Sequence, residues 1–450
     1  MRPELLNKYD RQVPRYTSYP TAPHFHDGVD GEVYGRWMSE LEDDASLSLY
    51  IHVPFCRSLC WFCGCHMKVV NRYGPIADYQ TLLLGEIDLV AQKLPGRRWV
   101  THVHFGGGTP TAIAADDFEA LIDVLRQRFD FAPDAEVAVE VDPRTLDQGI
   151  VDAMARSGVT RASLGVQDVN QVVQEAINRK QPFSANSRAF EMLRQAGISA
   201  INVDLMFGLP HQDVKKILWT VDLVAGLGPD RISLFGYAHV PWMKRHQRLI
   251  DEASLPDARE RLACFEAAAA RLGTLGYVPI GLDHFALPGD PLVKALREGR
   301  LHRNFQGYTT DEASALIGLG ASAIGALPQG YVQNIADSVG YRDAIRGGRL
   351  ATARGVVLSQ DDRLRRVVIE RLMCDLEVDL GETCERFGRS IDDLAPALEG
   401  LAHLQDDGLV DLEAGTIVRV PQDSRPLLRV VCAAFDSYLD DSAGRHARSV

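Results

Sequence analysis

The chain has 450 residues, 46% hydrophobic and 24% charged, which suits a globular protein with a large buried core and more than one domain. No apolar run is long enough to cross a bilayer, and the N-terminal MRPELLNKYDRQ lacks the apolar centre of a signal peptide, so a cytoplasmic protein with no membrane partner is expected. The formal charge of -13 argues against nucleic acid, and an anionic substrate would need a local basic pocket.

Apolar, β-branched runs at 47–54, 102–105, 137–141, 161–166, 200–207 and 231–237 predict six strands. Helical periodicity fills most of the gaps, at 78–94, 117–129, 147–157, 184–196 and 212–225. The strands read as near-continuous apolar runs, which predicts burial on both faces and a parallel sheet. A partial barrel and an open doubly wound sheet both fit six such units. Each strand end carries unusual residues: the cysteines after the first, GGGTPT at 106–111 after the second, Glu140 and Asp142, Gln167 and Asp168, Asp204 and Gly208, then Tyr237 to His239. Six such ends predict one site at one rim.

Beyond 240 a long helix is expected at 255–275, then loops at 281–310 rich in Gly, Asn, Gln and aromatic residues. Helices at 360–376, 380–388 and 391–405, a strand pair at 408–420 and a last helix at 425–439 follow. That outline suits a winged helix or a small packing domain, and its acidic balance argues against DNA. The end, 442–450, is expected to fray.

Of eight cysteines, four fall within ten residues: Cys56, Cys60, Cys63 and Cys65. Cys264, Cys374, Cys384 and Cys432 are scattered in helical segments and read as small buried hydrophobes. In a reducing compartment a tight cluster points to a metal or redox site. The C-x3-C-x2-C spacing lets Cys56, Cys60 and Cys63 each take one iron of a cubane and leave a fourth iron open. Trp61 and Phe62 would shield it. A four-cysteine zinc site is the alternative, although zinc ligands usually come as two separated pairs. Cys65 is open between a fourth ligand, a catalytic thiol and a packed bystander. The glycines at 106–108 allow close approach of backbone to ligand, or a tight turn. Glu140 and Asp204 could accept from ribose hydroxyls.

The cysteine spacing after a first strand resembles the radical S-adenosylmethionine (SAM) superfamily. With Cys65, PRYTSYPTA at 14–22, GGGTPT and HRNFQGYTT at 302–310, the chain resembles the oxygen-independent coproporphyrinogen III oxidases from about residue 10 to 440. The resemblance implies an α/β fold: an N-terminal lid segment (1–40), a partial (β/α)6 radical SAM barrel (41–285), substrate-site loops and a connecting segment (286–355), and a mainly helical C-terminal domain (356–450). It implies a 4Fe–4S cluster and two SAM molecules. Tyr50, Phe62, Gly107, Glu140 and Ile324 would touch the SAM on the cluster; Gly108, Thr109, Gln167, Arg179, Asp204 and Ala238 would touch the second. Cys65 is the catalytic candidate. The implied reaction converts two propionates of coproporphyrinogen III to vinyl groups, giving protoporphyrinogen IX, through a 5′-deoxyadenosyl radical. A donor such as flavodoxin or ferredoxin, an electron acceptor of unknown kind and a monomeric state are part of the same expectation. Arg15, Lys68, Arg72 and Arg303 are candidates for the substrate carboxylates, and Tyr16, Tyr19, Phe305 and Tyr308 for the ring. Two alternatives stand beside it: a haem-binding trafficking protein of the same superfamily, whose members lack the Cys65, 14–22 and 302–310 features, and a zinc-stabilised structural or regulatory protein.

Overall fold

All six runs expected to be strands are strands in the computed structural model, which describes residues 3–439 and 448. They are β1 (Leu47–Val53), β2 (Trp99–Gly107), β3 (Asp130–Val141), β4 (Arg161–Gln167), β5 (Ala200–Phe207) and β6 (Arg231–Gly236). Each pairs in parallel with the next, in sequence order. Helices Gly74–Lys93, Ala115–Arg128, Gln148–Arg156, Phe183–Gln195 and Val214–Ala225 form the crossovers. Right-handed crossovers along an order without reversal keep all helices on one face. Neighbouring helices accordingly touch, Gly74–Lys93 against Ala115–Arg128 and that helix against Gln148–Arg156. A doubly wound sheet requires a reversal of order, so the arrangement is the partial barrel.

The strands are not the near-continuous apolar runs that the sequence suggested. They alternate. Leu47, Leu49, Ile51 and Val53 of β1 join the large core beneath the helices, with Val137, Val139 and Val141 of β3 and Ile201, Val203 and Leu205 of β5. The intervening positions, among them Ser48, His104, Glu140, Ser163 and Asp204, line a polar cavity of about 310 Å³ inside the curl. Both faces are covered, but only one is apolar, because the other encloses a functional space rather than a second helical layer.

The sheet continues past the six strands at both edges. Beyond β6 lie β7 (Val278–Ile280) and β8 (His284–Ala286), in the order β6-β8-β7 and antiparallel. Beyond β1 come β9 (Ala315–Leu319), parallel to it, then β10 (Ile324–Leu327), β11 (Gly330–Asn334) and β12 (Thr352–Val357), antiparallel in turn. No apolar run marks the last four of these, because they are short and each contains a glycine. The glycines are steric: a Cβ on Gly330 would lie 2.0 Å from the Val356 carbonyl oxygen, and one on Gly355 would lie 2.2 Å from that of Tyr331.

A second core ties the two ends of the chain together. Leu5, Leu6 and Tyr9 from the N-terminal helix pack with Leu364, Val368 and Leu372 of helix Gln360–Asp375. Helices Leu380–Arg386 and Ala395–Asp406 follow, and the expected strand pair, Asp411–Glu413 and Ile417–Arg419, gains a third strand, Glu377–Asp379. The expected helix at 425–439 shrinks to Leu428–Cys432, flanked by the 3₁₀ turns Gln422–Leu427 and Ala433–Phe435. The four scattered cysteines are buried and free. The end expected to fray, 442–450, lies outside the described residues except for Arg448.

Candidate active site

Immediately after β1 the chain turns into the cysteine loop. Phe55–Cys56 pairs with Lys68–Val69, and the Lys68 and Val70 amides donate to the Pro54 and Cys56 carbonyls at 2.7 and 3.0 Å. This zips the base of the loop shut. Its crown is held by groups far away in sequence. The Trp61 amide donates to the Ile177 carbonyl at 2.9 Å, and Asn178 donates to that of Leu59 at 2.8 Å. Gln247 donates to the Phe62 carbonyl at 3.0 Å, His246 Nε2 bonds that of Cys63 at 2.7 Å, and Lys244 donates to that of Cys65 at 3.2 Å. These three clamps were missed in the sequence, where the only sign was a polar stretch following the last strand end.

The sulfurs face donors. The Thr109 hydroxyl lies 3.5 Å from Cys56 Sγ, and the Cys65 amide 3.4 Å from Cys63 Sγ. Buried Cys60 receives two guanidinium groups, Arg144 at 3.6 Å and Arg179 at 3.5 Å. A neutral thiol is a weak acceptor, whereas a thiolate bound to iron carries the charge that such donors match. Burial pushes the free Cys56 thiol up to about 11. Hydrogen bonding from Cys65 holds the Cys63 thiol below its ordinary value, despite burial, with His246 and Lys244 adding to the effect. Trp61 and Phe62 pack against Val173, Ile177, Leu209 and Tyr237. Among the described residues no three His, Cys, Asp or Glu side chains gather as ligands of a single ion. A cubane asks for something else, three thiolates on three different irons, and one buried, cation-facing cysteine with two half-buried ones beside an aromatic pair fits it.

The Gly106–Gly108 turn is explained by the protein's own packing. A Cβ on Gly106 would lie 2.8 Å from Glu140 Oε1, one on Gly107 2.6 Å from the His52 ring, and one on Gly108 2.7 Å from the Phe55 backbone. Gly107 also has φ +112°, a region that side chains avoid. Its amide donates to Glu140 Oε2 at 3.1 Å, and His104 Nε2 bonds Glu140 Oε1 at 3.2 Å. Burial would raise the Glu140 carboxyl, but the His104 bond and the Gly107 amide outweigh it and hold the group below its usual range. Glu140 is therefore ionised. The Tyr50 ring stacks on His104 at 5.9 Å and its hydroxyl bonds His52 Nδ1 at 3.0 Å. Burial pushes His52 down to about 4, so it is neutral at pH 7.

The remaining expected residues spread from this centre. Arg179 donates to the Gly165 carbonyl at 2.6 Å and pairs with Asp142 at 3.5 Å, which joins the β4 rim to Cys60. Gln167 sits beside it with φ +68°, a strained conformation for a non-glycine. Asp204 accepts from Asn202 at 2.9 Å and Ser163 at 3.2 Å, and burial with the nearby Glu140 charge raises its carboxyl. Cys65 is exposed and shares the wall of the polar cavity with Glu140 and Asp204. Ala238 meets Phe62 through Gln247, which donates to both carbonyls. Ile324 stands apart: it packs with Phe25, Phe305 and Tyr331, and reaches Tyr50 only across Gly318.

The candidate substrate residues divide. Lys68 and Arg72 lie on the surface, away from every cavity described here. Arg15 and Arg303 line a cavity of about 490 Å³ with Arg261 and Arg429, two arginines that no motif had marked. Tyr16 and Tyr19 belong to the core that joins the two chain ends and also line a cavity of about 420 Å³, while Tyr308 lines the polar cavity and donates its hydroxyl to the Met373 carbonyl at 2.7 Å. Phe305 lies on the wall of the same 420 Å³ cavity.

The chain matches the Radical SAM superfamily over residues 50–224 and the HemN C-terminal domain over 358–422. It is 52% identical, over the full length of both chains, to the oxygen-independent coproporphyrinogen III oxidase of Bradyrhizobium diazoefficiens. It is 43% identical to that of Paracoccus denitrificans, covering 99% of this chain and 98% of the relative. The structure of coproporphyrinogen III oxidase (HemN) from Escherichia coli, a radical SAM enzyme, superposes with a TM-score of 0.90 at 38% identity, over 95% of this chain and all of the other. The chain belongs to the oxygen-independent coproporphyrinogen III oxidase family of radical SAM enzymes.

Proposed function

We propose that this enzyme converts two propionate side chains of coproporphyrinogen III to vinyl groups with loss of carbon dioxide, giving protoporphyrinogen IX without oxygen. Radical SAM membership implies a 4Fe–4S cluster and SAM. When bound, they would supply a one-electron reductant and a 5′-deoxyadenosyl radical able to remove a propionate β-hydrogen. Cys56, Cys60 and Cys63 would hold the cluster. Tyr50, Phe62, Gly107, Glu140 and Ile324 would orient the SAM on it; Gly108, Thr109, Gln167, Arg179, Asp204 and Ala238 would take a second. Ionised Glu140 can accept ribose hydroxyls, and the Arg179 guanidinium can offset the anionic charge near Cys60. Cys65 would act as a catalytic thiol from the cavity wall. The polar cavity lies inside the curl of the sheet, where a radical would have to be kept from water.

Each turnover needs an electron from a donor such as flavodoxin or ferredoxin and returns one to an acceptor. Segments 55–73 and 238–250, joined over the cysteine loop, carry Arg57, Lys68, Arg72, Lys244, Arg245 and Arg248 and no Asp or Glu, in a chain of net charge -13. That face suits an acidic donor. We read the chain as a cytoplasmic monomer divided into a lid (1–40), barrel (41–285), substrate-site segment (286–355) and C-terminal domain (356–450).

The reading rests above all on Cys60, buried between two guanidinium groups in a C-x3-C-x2-C loop at the rim of a polar half-barrel. The test is anaerobic reconstitution followed by incubation with SAM, reductant and coproporphyrinogen III. Vinyl products with 5′-deoxyadenosine are expected. Stable haem binding with no decarboxylation would overturn the reading.

A further inference from the structure

In a chain of net charge -13, five arginines line one cavity of about 490 Å³; Arg448 pairs with Asp10 at 3.0 Å, and the other four come from four distant segments. Arg15 comes from the N-terminal segment, Arg261 from helix Ala258–Thr274, Arg303 from strand His302–Asn304 and Arg429 from helix Leu428–Cys432. Gathering cations in a partly enclosed space costs desolvation and mutual repulsion, so the arrangement needs a compensating anion. Three acids share the wall with these arginines, and each has another partner: Asp10 pairs with Arg448 at 3.0 Å. Asp257 caps helix Ala258–Thr274 through the Glu260 amide at 2.9 Å. Asp283 bonds His284 at 2.8 Å and reaches Arg303 Nη1 only at 4.0 Å.

Arg303 is the decisive residue. Its side chain is 5% exposed, and both Nε and Nη1 are buried without a hydrogen-bond partner. The Tyr308 ring covers one face, 4.5 Å from Cζ. Stacking holds the guanidinium plane still and leaves its edge available, which is the geometry for a bidentate carboxylate. Arg15 donates once, to the Gly236 carbonyl at 2.8 Å, and is otherwise exposed on the cavity wall. Burial, reinforced by the neighbouring cations, lowers Arg429 to about 9 and Arg261 to about 10, as expected for a cluster short of negative charge.

The cavity also has an apolar side, with Phe207, Leu262 and Phe265. Arg303 lines the 420 Å³ cavity as well, which in turn shares Asn304, Thr309 and Asp311 with the polar cavity holding Cys65 and Glu140. A large guest with an apolar body and several carboxylates could thus keep one acidic arm at the arginines and extend another toward the barrel.

We propose that this cavity anchors substrate carboxylates that do not react, with Arg15 and Arg303 as their direct partners and Arg261 and Arg429 as the supporting charge. The inference rests on the proposed function, since a tetrapyrrole that loses two propionate carboxylates must be held by those it keeps.

The experiment uses the full chain and coproporphyrin III, the oxidised fluorescent form of the proposed substrate, with its tetramethyl ester as the uncharged control. Binding is followed by fluorescence for the wild type, Arg15→Gln and Arg303→Gln; circular dichroism checks folding, and the exposed Arg15 carries the test if the buried Arg303 variant unfolds. Each lost charge-assisted bond should weaken the acid about tenfold or more, and the ester should bind weakly and equally to wild type and variants. SAM affinity of the reconstituted protein should stay the same. Unchanged coproporphyrin binding in Arg15→Gln, or a loss confined to SAM, would overturn the inference and leave the function standing. A wild-type protein that binds neither acid nor ester would instead bring down the substrate reading itself.

Discussion

The Arg179 guanidinium spans from Cys60 Sγ, at 3.5 Å, to the Gly165 carbonyl, at 2.6 Å, and so links the cysteine loop to the fourth barrel strand. A cation beside a cluster thiolate favours the more negative, reduced state. Arg179→Gln should therefore lower the midpoint potential by about 60 mV, which corresponds to a tenfold change in a one-electron equilibrium. A redox titration followed by electron paramagnetic resonance reads this without substrate.

The four clustered cysteines should separate into two groups. Ser at Cys56, Cys60 or Cys63 removes a thiolate and should cut iron well below the roughly four per chain of an intact cubane. Cys65 is exposed and stands on the cavity wall, so Cys65→Ser should keep the iron and sulfide content while lowering turnover. Equal iron loss in all four variants would make Cys65 a ligand.

Charge on the face over the cysteine loop should control reduction. The double variant Arg245→Glu, Arg248→Glu alters two exposed residues on either side of the His246 and Gln247 clamps. Reduction by an acidic flavodoxin should slow about tenfold at low salt, and the gap should close as salt rises. Reduction by dithionite should be unaffected.

Glu86 gives a pH signature of folding. Its carboxylate accepts from the Gly320 amide at 2.6 Å, Tyr341 at 2.7 Å and Asn334 at 2.6 Å, yet burial raises it from 4.5 to about 7. The folded state thus holds its proton more tightly than the unfolded chain. The group favours folding below pH 4.5, and that contribution is lost as pH rises toward 7. Between pH 6 and 8 the loss should be about 1 kcal/mol. Urea titrations at both values should show the slope in the wild type and its absence in Glu86→Gln.

Gly107→Ala should cost on the order of 2 kcal/mol, since the added carbon meets the His52 ring and the backbone stays at φ +112°. A drop in thermal midpoint is the readout, and a change within error would mean that the turn relaxes freely.

Much of the architecture was legible locally. The six strands and most of their crossover helices follow from hydrophobic runs, and a C-x3-C-x2-C loop carries its chemistry in its spacing. The polar face of the barrel was hidden, because Ser48, Tyr50 and His52 lie among large apolar residues that dominate any window average. Strands β9 to β12 were hidden for the opposite reason: their glycines look like loop, and only close strand contact explains them. The helix expected at 425–439 is held to Leu428–Cys432 between two 3₁₀ turns.

Which atoms could do chemistry is set along the chain, since thiols, strand-forming runs and turn glycines are properties of sequence neighbours, whereas the order of the strands is not. Tertiary structure alone decided which of them share a space. Cys60 finds Arg179 across 119 positions, and Arg15, Arg261, Arg303 and Arg429 meet although nothing in their local sequence pairs them. The reason is that electrostatics and hydrogen bonding act over a few ångströms, and only the closed sheet and its packed ends bring such distances about.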